Sequence, residues 1–232
     1  MQSFDLALLL HGQYHDWLMA GLRVSLGLAA TTFVLALPLA VAVALLRLAP
    51  SRLARAAGAA FVEGIRNVPL LAHLLFWYFG APQLLPDSWQ QRLNDWGHME
   101  FLAAAIALGL YTAAYMAEDI RSGIRAIPAV QMEAGRALGF GFLATMRRVI
   151  LPQALRVTVP PLISQALNLW KDTSIATVIA VTEMMYQAAR VESASFRSAE
   201  AFAFATAAYL AVSLAITGLG AWYHRRYPVR TL

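Results

Sequence analysis

The sequence predicts an all-α, polytopic membrane protein of about five transmembrane helices. Three observations carry that expectation. The 232 residues are 59% hydrophobic and only 13% charged, whereas about a quarter of an average soluble domain is charged. Apolar runs near or above the ~18 to 20 residues needed to cross a bilayer recur along the chain. The basic residues are also unevenly placed. Arg47, Arg52, Arg55, Arg66, Arg121, Arg125, Arg136, Arg147, Arg148, Arg225, Arg226 and Arg230 fall on one set of alternate segments, and only Arg92, Arg190 and Arg197 on the other. By the positive-inside rule the first set is cytoplasmic, which puts the N-terminus outside and the C-terminus inside. The net charge of +5 is therefore read as orientation and not as a nucleic-acid footprint. Cysteine is absent, which excludes a disulfide framework or a thiolate metal site.

Residues 1–16 read as an N-terminal interfacial segment, with Phe4 to Leu10 on the membrane surface. They carry Asp5 and Asp16 and no basic stretch, so no signal peptide is expected. A single transmembrane domain then covers 17–223. Its first span runs from about Trp17 to Leu46, with Pro38 expected to kink it. The next apolar region, Ala56 to Leu85, is interrupted by Glu63, Arg66, Asn67 and Pro69. Ala57 to Arg66 reads as a helix near the cytoplasmic surface and Val68 to Phe79 as the deeper part. Glu63, Arg66 and Asn67 are taken as structural or gate-forming, and the run Phe76, Trp77, Tyr78, Phe79 as an interface belt. Residues 81–100, with two prolines, two tryptophans and three acids, fit an outer loop. The third span covers about Phe101 to Ala117, the fourth runs from Pro152 to about Val181 with Pro160 and Pro161 bending it, and the fifth covers Ala201 to Tyr223. Residues 224–232 form a cytoplasmic tail.

Between the third and fourth spans lies an island of charge, 121–152, with five arginines and one acid, Glu133. Pro128 starts a fresh segment. Gln131 to Leu138 then has good helix formers with small residues at Ala134, Gly135 and Ala137, and a second helical piece spans Phe142 to Ile150. Two short helices between membrane spans, one studded with small side chains, suit a contact with something outside the bilayer.

Catalysis by this chain is not expected. Its one lysine, Lys171, follows Trp170, so no phosphate-binding G-x-x-x-x-G-K-[ST] loop can form. The histidines lack metalloprotease spacing, and no G-x-S-x-G elbow occurs. The most informative apolar stretch is Ser164 to Ser174. On a helix Ser164, Gln165, Asn168, Lys171 and Asp172 fall along one stripe, which must face a protein interior or a watery path and not lipid. The stripe is a candidate substrate path; the alternative is that Lys171 and Asp172 are structural, satisfied by neighbouring spans. Tyr111, Tyr115 and Glu118 share a face of the third span and are candidates for the same path. Alternatively Glu118 and Asp119 lie at the surface and meet Arg121 or Arg125. Glu183, Glu192 and Glu200 read as solvated charges of an outer loop.

Several of these segments resemble a known family. Glu133-Ala134, Gly139 and Val149-Ile150-Leu151-Pro152 are similar to the "EAA" loop of ABC importer permeases. Gly135 stands where the pattern has a second Ala, which is expected to loosen the helix by ~1 kcal/mol. V-E-G-I-R-N-V-P-L-L (62–71), W-Y-F-G-A-P-Q-L-L-P (77–86), I-R-S-G-I-R-A-I-P (120–128), L-P-Q-A-L-R-V-T-V-P-P-L (151–162) and K-D-T-S-I (171–175) resemble polar amino acid permeases, most of all the membrane subunit of glutamate/aspartate importers. The resemblance implies the type I ABC importer permease fold and an inner-membrane location. It implies that Glu133, Ala134, Gly135, Arg136, Ala137, Leu138 and Gly139 form a coupling helix seated in the ATP-hydrolysing subunit. The implied partners are a dimer of ATP-binding cassette subunits, a second permease chain (the same or homologous), a periplasmic amino acid binding protein and the lipid bilayer, without nucleic acid. No cofactor or metal is expected on this chain; ATP and Mg belong to the partner ATPase. An ion-coupled secondary amino acid carrier is the alternative, although the paired broken helices it would need are not visible.

Overall fold

The computed structural model describes residues 7–228. The described residues form helices joined by short turns: α1 (Ala7–Leu10), α2 (Gly12–Leu48), α3 (Arg52–Arg66), α4 (Leu70–Leu75), α5 (Asp87–Trp96), α6 (Met99–Arg125), α7 (Ala129–Ala137), α8 (Phe142–Thr145), α9 (Leu151–Asp172), α10 (Met184–Ser195) and α11 (Ser198–Arg226).

Three helices, α2, α6 and α11, are long and apolar enough to cross a bilayer, and the bent pair Arg52–Arg66 with Leu70–Leu84 adds a fourth candidate. The fourth expected span, α9, falls outside that set. It spends much of its surface on the polar stripe and packs between α6 and α11. α2 runs unbroken through Pro38 and, at 37 residues, is about 55 Å long, well beyond the ~30 Å hydrocarbon core.

α6 is the central helix. Half of its apolar window is buried, against 6% for α11. Its buried face is almost all small: Ala103, Ala104, Ala107, Ala113, Ala114 and Ala117. Facing it on α2 are Leu28, Thr32, Ala36, Ala40, Val43 and Ala44. Hydrophobic driving force is weak between helices in lipid, so close backbone approach through small residues supplies the packing instead. The same logic holds where α6 crosses α9. A Cβ on Gly123 would lie 2.0 Å from the Thr158 hydroxyl, so only glycine fits there.

α3 begins at Ser51, whose side chain accepts the Ala54 N–H at 3.4 Å. Arg55 donates to the carbonyls of Ala49 and Pro50, at 2.9 and 2.7 Å, and so closes the end of α2. After α3 the chain turns by 97° at Asn67-Val68-Pro69, because proline disfavours helical geometry in the residue before it. The His73 ring nitrogen, 3.0 Å from the Ile65 carbonyl, ties the two sides of the bend.

Two π-helical turns, Phe76–Gly80 and Met146–Ile150, share one cause. In each, the following N–H reaches back five residues, from Ala81 to Phe76 and from Leu151 to Met146, and the next residue is proline, Pro82 or Pro152. A proline ring clashes with the carbonyl four residues back; widening the turn ahead of it moves that carbonyl aside. Pro152 therefore does not open a new helix as expected. Phe142 to Asp172 is one continuous helical rod. In the other turn Trp77 and Tyr78 pack against the core, while Phe76 and Phe79 remain exposed.

Other differences have equally local reasons. The segment 81–100, expected as an outer loop, contains α5, which starts after Pro86 with Asp87 in its first turn and stops at Gly97. The fourth span is α-helical only to Asp172. It tightens to 3₁₀ over Thr173–Ile179 and ends at Ala180, a left-handed residue with φ 63°. Leu9 is fully buried against α10 and α11 rather than lying on a surface; Phe4 lies outside the described residues. α11 continues through His224, Arg225 and Arg226, so the tail begins later than expected.

The reading of Glu183 and Glu200 as solvated loop charges is corrected, since both are buried. Glu183 caps α10, accepting from the Tyr186 N–H at 2.8 Å, from the Tyr209 hydroxyl at 2.8 Å and from the Ser25 hydroxyl at 3.2 Å. It thereby joins α2, α10 and α11. Glu200 accepts from Arg197 at 2.9 Å, and Glu192 accepts from the Ser198 hydroxyl at 3.1 Å.

Candidate coupling element and translocation cleft

The island between α6 and α9 folds as α7 and α8, packed against each other. α7 ends in a Schellman motif: the Phe140 N–H bonds the Gly135 carbonyl at 3.0 Å and the Gly139 N–H bonds the Arg136 carbonyl at 2.9 Å. Gly139 sits at φ +83°, where a side chain would be strained by ~1–2 kcal/mol. Gly135 is the one buried residue of the helix. A Cβ there would meet Thr145 Cγ2 at 2.3 Å, so the departure from Glu-Ala-Ala is a packing requirement and not a loosened helix.

The outer side of this element is open. Glu133, Ala134, Arg136, Ala137, Leu138 and Gly139 are exposed. Val130, Leu138, Phe142 and Leu143 are 60%, 76%, 55% and 81% exposed. An apolar cluster of this kind, with small residues and flanking charges, has the make-up of a surface that a partner protein covers. Gly135→Ala is expected to destabilise the chain by ~1–3 kcal/mol through overpacking. Adding Thr145→Ala should return most of that loss, measured as thermal unfolding of the two variants.

A cleft of about 340 Å³ opens between α6 and α9, lined by Tyr111, Thr112, Tyr115, Gln165, Asn168, Leu169 and Asp172. That volume falls within the ~300–1,000 Å³ of small-molecule sites. The Tyr111 and Tyr115 hydroxyls are 3.3 Å apart. The Gln165 amide donates to Asp119 on α6 at 2.8 Å. Among the described residues, the Asp172 carboxylate has no hydrogen-bond donor and no cation within ion-pair distance.

Five of the eight predicted path residues therefore meet in one cleft, and three lie elsewhere. The Ser164 hydroxyl donates back to the Pro160 carbonyl at 3.4 Å, and Lys171 is exposed away from the cleft. Glu118 is bonded by Arg121 through two guanidinium nitrogens and pairs with Arg47 at 3.5 Å. The Arg121 pairing is the alternative the sequence already offered for Glu118; the bridge to Arg47, which ties α2 to α6, was not part of it.

Two contributors, Thr112 and His73, escaped the sequence reading, and a third, Arg66, is read there only as structural or gate-forming. Thr112 lines the cleft, and nothing but its place beside Tyr111 could have signalled it. The Arg66 guanidinium lies 4.5 Å above the Tyr115 ring, a cation–π contact made across the α3–α4 bend. The His73 ring packs edge-on to Tyr111, with centroids 6.2 Å apart.

A helical bundle with one span bent at proline, an exposed small-residue helix and a polar cleft fit a membrane transport subunit. The chain belongs to the family described as "Binding-protein-dependent transport system inner membrane component", which it matches over residues 36–228. It is thus a multi-pass inner-membrane protein.

Among its relatives, the glutamate/aspartate import permease protein GltJ of Escherichia coli (strain K12) is 34% identical over 203 residues, 86% of this chain and 82% of the relative. The "Probable glutamine ABC transporter permease protein GlnM" of Bacillus subtilis (strain 168) is 38% identical over 179 residues, 77% of this chain and 78% of the relative. The solved structure described as "Crystal structure of an amino acid ABC transporter with histidines" superposes with a TM-score of 0.84 at 28% identity, covering 97% of this chain and all of that one. The fold is that of a type I ABC importer permease.

Proposed function

We propose that this chain is the translocation subunit of an ATP-driven importer of polar amino acids, with glutamate and aspartate as its cargo. A separate subunit burns ATP and seats α7, a second permease chain completes the path, and a periplasmic binding protein delivers the amino acid. The N-terminus lies outside and the C-terminus in the cytoplasm, in keeping with the arginine distribution. The working unit is the transmembrane domain 17–223 with its coupling loop 121–152.

One observation carries this reading: the coupling loop and the cleft are ends of a single rod. α8, its π-turn and α9 run without a break from Phe142 to Asp172, and α7 is fastened to α8 by Gly135 against Thr145. When the ATPase closes and displaces α7, the rod moves as a unit, and Gln165, Asn168 and Asp172 move with it. Alternating access follows, because those side chains face α6 across the cleft.

Cleft chemistry suits a zwitterion. Asp172, left among the described residues without a hydrogen bond or ion pair, receives the α-ammonium group. Asn168, the tyrosine hydroxyls and Arg66 at the rim offer donors to carboxylates. The relationship to GltJ supports acidic cargo, whereas the relationship to GlnM shows that neighbouring family members are described with another amino acid.

Binding-protein-stimulated ATP hydrolysis by the assembled complex, screened across the amino acids, tests the assignment. Glutamate and aspartate should stimulate it most. Stimulation by neutral or basic amino acids alone would refute the acidic cargo, and uptake by this chain without any ATPase would refute the ATP-driven mechanism.

A further inference from the structure

The first turns of α9 and the last turn of α11 border a second cleft, unrelated to the cargo path. It measures about 390 Å³ and is lined by Arg156, Arg226, Tyr227 and Pro228. α9 and α11 touch where Gly220 approaches Ile163; a Cβ on Gly220 would be 3.4 Å from Ile163 Cγ2. From Ile163 back to Arg156, and from Gly220 on to Arg226, the chain covers about two helical turns each. The two guanidinium groups are thus carried to the same level, on facing helices.

Neither arginine has a carboxylate partner among the described residues. Arg226 instead lies 5.4 Å from the centroid of the Tyr227 ring. Two unpaired guanidinium groups across one cleft suit a phosphate, because each presents several N–H donors to its free oxygens.

The apolar surroundings narrow the ligand further. Trp222 and Leu219 precede Arg226 by about one and two turns and so share its face of α11. They are 61% and 62% exposed. Leu155, beside Arg156, is 57% exposed. A phosphate held by the arginines would therefore sit directly below an apolar strip on a bilayer-crossing helix. Basic pockets between transmembrane helices at the basic face of a membrane are where anionic lipid headgroups bind.

We infer that Arg156 and Arg226 form a binding site for one anionic phospholipid, its phosphate between the two guanidinium groups and its acyl chains along Leu219 and Trp222. The inference is independent of the cargo. It requires only that the basic end of α11 lies at a membrane face.

Native mass spectrometry of the full-length chain in neutral detergent, titrated with phosphatidylglycerol or phosphatidylcholine, tests the site. The unaltered chain should hold phosphatidylglycerol at least about tenfold more tightly, and each of Arg156→Gln and Arg226→Gln should weaken it about fivefold, the pair about 25-fold. Arg225→Gln, which removes the same charge one residue away from the cleft, should leave affinity nearly unchanged. Equal affinity for the two lipids in the unaltered chain overturns the proposal without recourse to any variant. So does an Arg225→Gln loss as large as that of Arg226→Gln, which would mean diffuse surface attraction. Displacement of phosphatidylglycerol by millimolar inorganic phosphate would assign the cleft to a free anion and overturn the lipid.

Discussion

Asp172→Asn should lower amino acid uptake about 30-fold or more, equivalent to about 2 kcal/mol or more, while assembly and basal ATP hydrolysis stay near normal. The figure is the lower end of what truncating one side of a buried charge pair costs. It applies because this carboxylate has no direct ion pair or hydrogen-bond donor among the described residues, Lys171 acting on it only at longer range, so cargo supplies the close partner. Asparagine keeps the shape and removes only the charge. Ser164→Ala and Lys171→Ala, on the same stripe but outside the cleft lining, should change uptake by less than about twofold, within the ±0.5 kcal/mol of surface substitutions. Transport assays with parallel measurement of complex recovery distinguish the two roles. Loss of the assembled complex in Asp172→Asn would make the residue structural.

The second large effect lies away from the cleft. Glu183→Ala should destabilise the chain by ~3–5 kcal/mol, because it strands buried donors that now bond a fully buried carboxylate. Those donors are the Tyr186 N–H, the Tyr209 hydroxyl and the Ser25 hydroxyl. The Ser25 oxygen also accepts the Met184 N–H at 3.0 Å, so one substitution disturbs the junction of three helices. Tyr209 in addition packs on Trp170, with centroids 4.9 Å apart, and accepts the Trp170 indole N–H through its carbonyl at 3.2 Å. The junction therefore reaches the end of α9 that carries Asp172. Glu183→Gln retains acceptor oxygens and should cost much less. Thermal unfolding in detergent separates the variants; equal stability of Glu183→Ala and the unaltered chain would contradict the junction.

What the sequence made legible follows from what its patterns encode. Apolar run length and arginine placement located α2, α11 and the starts of α6 and α9 to within about five residues, because bilayer thickness and the cost of buried charge act on every segment alike; α6 runs on past Ala117 to Arg125, and α5 and α10 lie in segments read as loop. The polar stripe on α9 was visible by period alone, and its three inner members, Gln165, Asn168 and Asp172, do face the cleft. Ser164 and Lys171 share the stripe yet miss the cleft, since a helix period gives a sector and not the edge of the neighbouring helix. Proline was read as a helix boundary at Pro152, but a π-turn absorbs it. That choice depends on what packs around the turn and leaves no local signature. Glu183 looked like a loop charge because burial of an acid is decided by donors distant in sequence, Ser25 and Tyr209. Gly135 looked like a weakness for the same reason: its value lies in Thr145, on the next helix.

The central claim is that the α7 elbow takes up force from a nucleotide-hydrolysing partner and passes it along the α8–α9 rod. The chain contains no cysteine, so a single introduced thiol reports one place only. Ala134→Cys, carrying a short bifunctional cross-linker in the fully assembled transporter, should join to the ATPase subunit, and Trp89→Cys on α5 should not. Cross-linking of the ATPase at position 89 with none at position 134 would contradict the account.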